Sequence, residues 1–372
     1  MNAESDGRGS DEFDVAAIFQ EGLAHAEQEE AMLNVMLAGR PGAGKSTLVN
    51  AIFGEAIAPV GTGAPVTQEI ERYRRPRLPV TVYDTPGYEL GKSPTEVAGY
   101  FLEQIKQRVV AEESEIHFAL YCSLAANNRV EEFEVDLVRA LAQEVHTAFV
   151  LTQCLDKEAQ EVVDLRSHID SRKLPIVNSR PFPVLAEEKL LSFSGQSVSV
   201  KPFGLDDLLR ALARVLPAAQ KRTLVSRQRV NLELKVKEAN DIVAETALKA
   251  AAIAAVPIPL YDIGPLSALQ VAMFARITRV MGFSIEPRSL AAACAAVVGV
   301  GSAARTASSF LKLVFPLVGG VVNASVAGST TYAMGAAYIK ACEGLLRLQI
   351  AGVPIDQDDI IGALVREWRK AR

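Results

Sequence analysis

The stretch Gly39-Arg40-Pro41-Gly42-Ala43-Gly44-Lys45-Ser46-Thr47 carries the residue types that phosphate chemistry needs, at a fixed spacing: a glycine, four variable residues, then Gly-Lys-Ser. Glycines let backbone N–H groups converge on anionic oxygens. Lys45 supplies a point charge for a terminal phosphate, and the Ser46 hydroxyl suits a Mg2+ ion. The pattern has meaning only between a strand and a helix. Asn34 to Ala38 reads as a buried strand before it, and Leu48 to Phe53 as helix after it. A helix start adds a favourable dipole for anions. All nine residues from Gly39 through Thr47 are therefore candidates for nucleotide binding, and Lys45 also for catalysis.

A second piece lies downstream. Asp84-Thr85-Pro86-Gly87 ends the apolar run Val80–Tyr83. An Asp at a strand end beside such a loop can hold Mg2+ through water, and the Gly87 N–H can meet a terminal phosphate. Between the two pieces, Val60 to Thr67 is rich in Gly and Thr. A segment there needs one Thr whose hydroxyl reaches the metal and whose N–H meets the phosphate. Thr67 is the preferred candidate and Thr62 the alternative. The candidate metal set is thus Ser46, Thr67 and Asp84, and the candidate catalytic set Lys45, Thr67 and Gly87.

These pieces need a scaffold. The chain has 372 residues, 49% hydrophobic and 22% charged, which suits a folded protein of two domains. Its net charge of −5 gives no support to a nucleic-acid binder. Residues 1–12 read as a polar tail without a secretory leader, and residues 13–32 as an amphipathic helix with Phe13, Ala16, Ala17, Phe19, Leu23 and Ala26 on one face. From residue 33 to 216, short apolar runs alternate with helical patterns: Val80–Tyr83, His117–Cys122, Ala148–Thr152, then Ile176–Val177 with Val184–Leu185. That alternation predicts an α/β domain with a doubly wound, mostly parallel sheet. Pro217 opens a second region, residues 217–372, rich in Ala and Gly and expected to be all-α. Ala218–Val256 reads as one long helix, and Asp356–Arg372 as a final charged one. Cys122, Cys154, Cys294 and Cys342 lack paired spacing and read as reduced buried thiols; a reducing cytoplasm is the expected compartment.

The motifs GRPGAGKST, PVT and DTPG together resemble the Era-like branch of the TRAFAC class of bacterial P-loop GTPases. The wider chain resembles a bacterial group in which that domain precedes a YcjF-like Ala/Gly-rich helical domain of unknown function. Ile116 to Cys122, Asn127 to Glu134 and Pro257-Ile258-Pro259 with Asp262 carry this resemblance. It implies GTP and GDP as ligands, Mg2+ as cofactor, slow hydrolysis, and switching between two states through an unidentified protein partner. A homodimer and a membrane surface stay open as partners; nothing indicates nucleic acid.

Two departures from the family pattern matter. Tyr88 follows Gly87 where related enzymes place a water-orienting Gln. Thr152-Gln153-Cys154-Leu155-Asp156-Lys157 stands where the family places Asn/Thr-Lys-x-Asp, so Leu155 occupies the base-reading Asp position and an Asp comes one residue late. Thr152, Gln153 and Asp156 remain candidates for base contact, Asp156 by a one-residue bulge, with Ala186 of Val184-Leu185-Ala186 offering a backbone N–H. The alternative is a site with weakened base discrimination: a nucleotide-binding scaffold that hardly hydrolyses. A dynamin-like, membrane-associated GTPase is a third reading, because Leu313–Ile339 lacks charge over a bilayer-crossing length, although Gly, Ser, Thr and Asn interrupt it. His25, His117, His146 and His168 show no metal-ligand spacing, and Glu131–Glu134 with Asp136 reads as a solvated helix start.

Overall fold

The computed structural model describes residues 15–60, 70–76, 78–85, 115–127, 129–193, 196–255, 258–259, 264–282, 321–322 and 324–350, plus isolated positions within 93–103 and 362–370. The chain divides into two compact units, Glu30–Leu234 on one hand, and the segments through Glu29 and from Lys235 onward on the other.

The first unit is built on a six-stranded sheet in the order β2-β3-β1-β4-β5-β6. The strands are β1 (Leu33–Gly39), β2 (Glu71–Arg74), β3 (Val80–Asp84), β4 (Phe118–Leu124), β5 (Thr147–Thr152) and β6 (Phe182–Pro183). All neighbours run parallel except β2, which lies antiparallel on β3. The apolar run of β1 is continuous because both faces of the sheet are covered. Leu33, Val35 and Leu37 point to one face. There they meet Leu48, Ile52 and Phe53 of α2 (Lys45–Phe53). Met36 and Ala38 point to the other face. There they meet Val135, Val138 and Leu141 of α3 (Glu132–Glu144). The helix α4 (Gln160–Ser171) adds Leu165 and Ile169 to that second layer. The helix α5 (Leu205–Val215) packs on the first face, burying Leu205, Leu208, Leu209 and Leu212 at helical spacing. The expected fold class is therefore the observed one: a doubly wound, mostly parallel sheet followed by a helical region.

The four central strands fall within two residues of their expected bounds. The sixth does not. Val177 lies in a short 3-10 turn, and Leu185 makes an isolated bridge to Phe203. Only Phe182–Pro183 pairs with β5. A hairpin, β7 (Lys189–Phe193) with β8 (Gln196–Val200), follows in a stretch that carries no expectation from sequence.

The expected long helix over 218–256 is two helices, α6 (Ala218–Arg227) and α7 (Leu232–Ile253). The break has a side-chain cause. Gln228 is fully buried, and its Oε1 accepts from the N–H groups of Val230 and Asn231, both at 2.7 Å. Its Nε2 donates to Asn231 O at 2.7 Å, and Asn231 Oδ1 accepts from Leu234 N at 2.8 Å. Local side-chain bonds thus replace the helical ladder for one turn and cap the next helix.

In the second unit, α1 (Val15–Gln28) packs against α8 (Gly264–Met281). Small residues allow close approach: a Cβ on Gly22 would sit 2.9 Å from Ala275 Cβ. The ion pairs Arg279–Glu27 (2.7 Å) and Arg276–Glu29 (3.5 Å) flank the contact. The helix α9 (Ala324–Ile350) joins α8 through buried polar bonds, Gln270 Nε2 to Thr331 Oγ1 at 2.9 Å and Thr278 Oγ1 with Tyr338 OH at 2.5 Å. Among the described residues, no helix is long and apolar enough to cross a membrane. Residues 290–304 and most of 351–372 lie outside the described residues, as do Phe13 and residues 1–12.

Candidate functional site

The phosphate loop leaves β1 through a position that only glycine fits. Gly39 has φ +131°, and a Cβ there would stand 2.1 Å from the Cys122 carbonyl oxygen of β4. Gly42 and Gly44 both adopt left-handed backbone, φ +76° and +74°. Ala43 N donates to Arg40 O at 3.1 Å, and Leu48 N donates to Gly44 O at 2.9 Å, closing the loop and starting α2. No side chain caps that helix start. The first-turn N–H groups of Lys45, Ser46 and Thr47 are therefore free of intrahelical acceptors and available to an anion. Lys45 folds back over the loop and donates to Gly39 O (3.1 Å) and Arg40 O (3.2 Å).

Asp84 ends β3, in register beside Leu37 of β1 and opposite Glu71 of β2. It is 7% exposed, and its Oδ1 has no hydrogen-bond partner among the described residues. Burial raises its carboxyl to about 6; Lys45 pulls it down and Glu71 pushes it up. A buried carboxylate oxygen without a donor is costly unless a cation meets it. A carboxylate oxygen and a serine hydroxyl are the hard oxygen donors that suit Mg2+, the chemistry expected of Asp84 and Ser46 from sequence. Among the described residues no cluster of three or more His, Cys, Asp or Glu offers another metal site. Thr62, Thr67, Gly87 and Tyr88 lie outside the described residues.

The other end of the site is built by β5 and the two loops beyond it. Thr152 Oγ1 lies 2.7 Å from Ala43 O and 3.1 Å from Ser123 O, so its single proton ties β5 to the phosphate loop or to β4. Gln153 adopts φ +52°, a left-handed conformation that costs a non-glycine residue about 1 kcal/mol. In that pose its Nε2 donates to Gly42 O at 3.4 Å. Cys154 is buried, and its N–H donates to Val184 O at 3.1 Å. An open cavity is lined by Gly44, Thr47, Thr152, Gln153, Ala186 and Glu187, with Lys189 beside them.

The structure thus brings the phosphate loop, Thr152, Gln153 and Ala186 around one space. Leu155 and Asp156 do not line it. Leu155 is 42% exposed, and Asp156 Oδ1 accepts from the N–H of Glu158 at 2.9 Å. Glu187 and Lys189 were not singled out from sequence; nothing in their type or spacing distinguishes them from other residues after a strand.

The acid run after β4 departs from a merely solvated helix start. Glu134 is 2% exposed. Its Oε1 accepts from Tyr121 OH (3.1 Å) and Ser123 Oγ (3.5 Å), and its Oε2 accepts from Glu131 N (3.1 Å). Arg40 of the phosphate loop reaches this helix start: its Nη2 lies 2.5 Å from Glu131 Oε2 and 3.8 Å from Glu134 Oε2. The described cysteines, Cys122, Cys154 and Cys342, are buried free thiols, and burial pushes Cys122 and Cys342 up to about 12. His117 is locally bonded through Nδ1 to Asn34 N at 2.9 Å, and burial lowers its pKa.

Residues 34–171 match the family model described as 50S ribosome-binding GTPase. The chain is 37% identical over 116 residues to Magnetosome membrane protein 22 of Magnetospirillum gryphiswaldense, covering 28% of this chain and 59% of that one. It is 26% identical over 243 residues to Interferon-gamma-inducible GTPase 10 of Mus musculus, covering 62% of this chain and 55% of that one. The chain therefore spans little more than half the length of these curated relatives. Among solved structures it is similar to a septin GTPase domain from Chlamydomonas reinhardtii, with 15% identity, TM-score 0.37, and coverage of 51% of this chain and 93% of that one. It is also similar to an Aquifex aeolicus Era variant bound to GDP.AlF4-, with 19% identity, TM-score 0.34, and coverage of 58% and 67%. The family match and the loop geometry support a P-loop GTPase domain in the sheet unit.

Proposed function

We propose that the protein binds GTP and GDP with Mg2+, hydrolyses GTP slowly, and acts as a nucleotide-dependent switch through its helical unit. One observation carries the reading: a glycine-shaped phosphate loop with a buried Asp84 carboxyl whose Oδ1 has no hydrogen-bond partner among the described residues, within a segment matching a GTPase family model. In this reading the loop N–H groups bind the phosphates, and Lys45 exchanges its loop carbonyls for phosphate oxygens. Ser46 and Asp84 hold Mg2+, with Thr67 as the third expected ligand. The bound ion neutralises charge on the phosphate oxygens. Gly87 N–H meets the terminal phosphate. Segments 62–67 and 84–88 are then the parts whose order follows the nucleotide, as such segments do in switches of this kind. Tyr88 supplies no water-orienting amide, so turnover without a partner is expected on the order of minutes or longer. The Era-like and YcjF-like assignments, a protein partner or second copy, and a cytoplasmic or membrane-surface location belong to the same proposal.

Guanine preference requires Asp156 to leave the Glu158 N–H and turn toward the cavity. One hydrogen bond to a carboxylate is at stake, about 1.5–3 kcal/mol. The observed pose of Leu155 and Asp156 favours a second reading, in which the site discriminates bases weakly. Calorimetric titration with GTP, GDP and ATP analogues in Mg2+ separates the two. Strong guanine preference supports the first; equal affinities reduce the protein to a P-loop nucleotide binder. Failure of every nucleotide to bind would sink both.

A further inference from the structure

The phosphate loop is gripped from two sides. On one, Thr152 Oγ1 meets Ala43 O at 2.7 Å. On the other, the Arg40 guanidinium reaches the start of α3, 2.5 Å from Glu131 Oε2 and 3.8 Å from Glu134 Oε2. Glu134 is itself fixed: it is nearly fully buried and bonded to Tyr121 OH and to the Glu131 N–H. Tyr121 belongs to β4, the strand whose Cys122 carbonyl lies against Gly39. The same strand therefore anchors both the loop's first glycine and the acid that faces its arginine. An arginine in such a loop has two uses. It can reach a phosphate directly, or it can hold the backbone whose N–H groups do so.

We infer that Arg40 is a positioning residue: its guanidinium, held by Glu131 and Glu134 at the start of α3, fixes the phosphate loop in its binding shape rather than contacting phosphate. This rests on the nucleotide-binding reading above and deepens it. A loop ordered before the ligand arrives loses less entropy on binding. The two uses of Arg40 predict opposite signs for removing its partner. If Arg40 positions the loop, Glu131→Gln weakens binding as Arg40→Ala does. If Arg40 is a phosphate ligand restrained by Glu131, Glu131→Gln frees it and binding tightens.

The experiment is a double-mutant cycle on the full chain, reading the affinity and dissociation rate of a ribose-labelled fluorescent GDP in Mg2+. Arg40→Ala and Glu131→Gln are each expected to weaken binding about 5-fold, as a partly exposed ion pair allows, and the double variant no further than Arg40→Ala alone. Arg40→Lys, which keeps charge but not the guanidinium fork, is expected to restore part of the loss. Unchanged affinity in Arg40→Ala, tighter binding in Glu131→Gln, or additive losses in the double variant would each overturn the inference. Lys45→Ala separates the underlying reading. If the parent protein and Lys45→Ala bind GDP alike, the phosphate site itself is wrong and the Arg40 role falls with it.

Discussion

The two ends of the site are built by different means. The phosphate end rests on backbone: three glycines set its shape, and the groups offered are N–H donors at a helix start. The proposed base end rests on side chains: Gln153 in a strained pose, Asp156 bonded to its own loop, and Glu187 and Lys189 at the cavity edge. Backbone geometry tolerates little substitution, because a single Cβ at Gly39 meets a carbonyl oxygen. Side-chain recognition can drift by one residue and still leave a folded loop. In the proposed reading, the difference teaches where function is fixed and where it is free to vary.

Breaking the phosphate end should therefore give the largest effects. Gly39→Ala puts a Cβ 2.1 Å from Cys122 O on a positive-φ backbone. Loss of stability on the order of 3 kcal/mol or more is expected, seen as a lowered unfolding midpoint. Lys45→Ala or Ser46→Asn leaves the sheet intact, since both residues are only half-buried, and removes tight Mg-nucleotide binding. A loss of about 100-fold for Lys45→Ala corresponds to about 3 kcal/mol, the range of a charged hydrogen bond. Unchanged calorimetric affinity in either variant would overturn the phosphate assignment.

Asp84 sharpens the same end through pH. Its carboxyl sits at about 6 in the fold, above the ordinary 3.8, chiefly because of burial. The folded protein thus binds this proton more tightly than the unfolded chain does. The resulting stability is complete below about pH 4 and is lost as pH rises through about 6, a change of roughly 2–3 kcal/mol. Asp84→Asn should flatten that slope, as followed by the difference in unfolding midpoint between parent and variant across pH 4–7 (about the window set by the two pKa values). Equal slopes would mean that Asp84 does not titrate as placed. With Mg-nucleotide present the sign reverses, because the bound cation favours the carboxylate and affinity should rise through the same window.

The contrast also explains what was legible in the sequence. The loop glycines and the strand before them could be read because backbone chemistry forces both residue type and spacing. The central strands could be read because burial on both faces makes their apolar runs continuous. The break between α6 and α7 could not. It depends on Gln228 folding onto its own backbone, and no glycine or proline announces it. The burial of Glu134 was equally hidden, since an acid at a helix start suits solvent and a buried network alike. It takes Tyr121 and Ser123 of β4 and Arg40 of the phosphate loop, from two other places in the chain, to tell them apart.

The base end should respond least, and in a way that decides what it is. Asp156 is exposed, and its side chain accepts from the N–H of Glu158 in the observed pose, so Asp156→Asn should not change stability measurably. If Asp156 turns inward to accept from guanine, the substitution removes one charged acceptor and lowers the GTP-over-ATP affinity ratio by about 10-fold, or roughly 1–2 kcal/mol. Cys154→Ser, at a buried position whose N–H already serves Val184 O, should leave the ratio alone. An unchanged ratio in Asp156→Asn would retire Asp156 as the base reader. It would leave Gln153, Ala186 and Glu187 as the residues that face the base, and with them a site selected for phosphate and nearly indifferent to what lies beyond it.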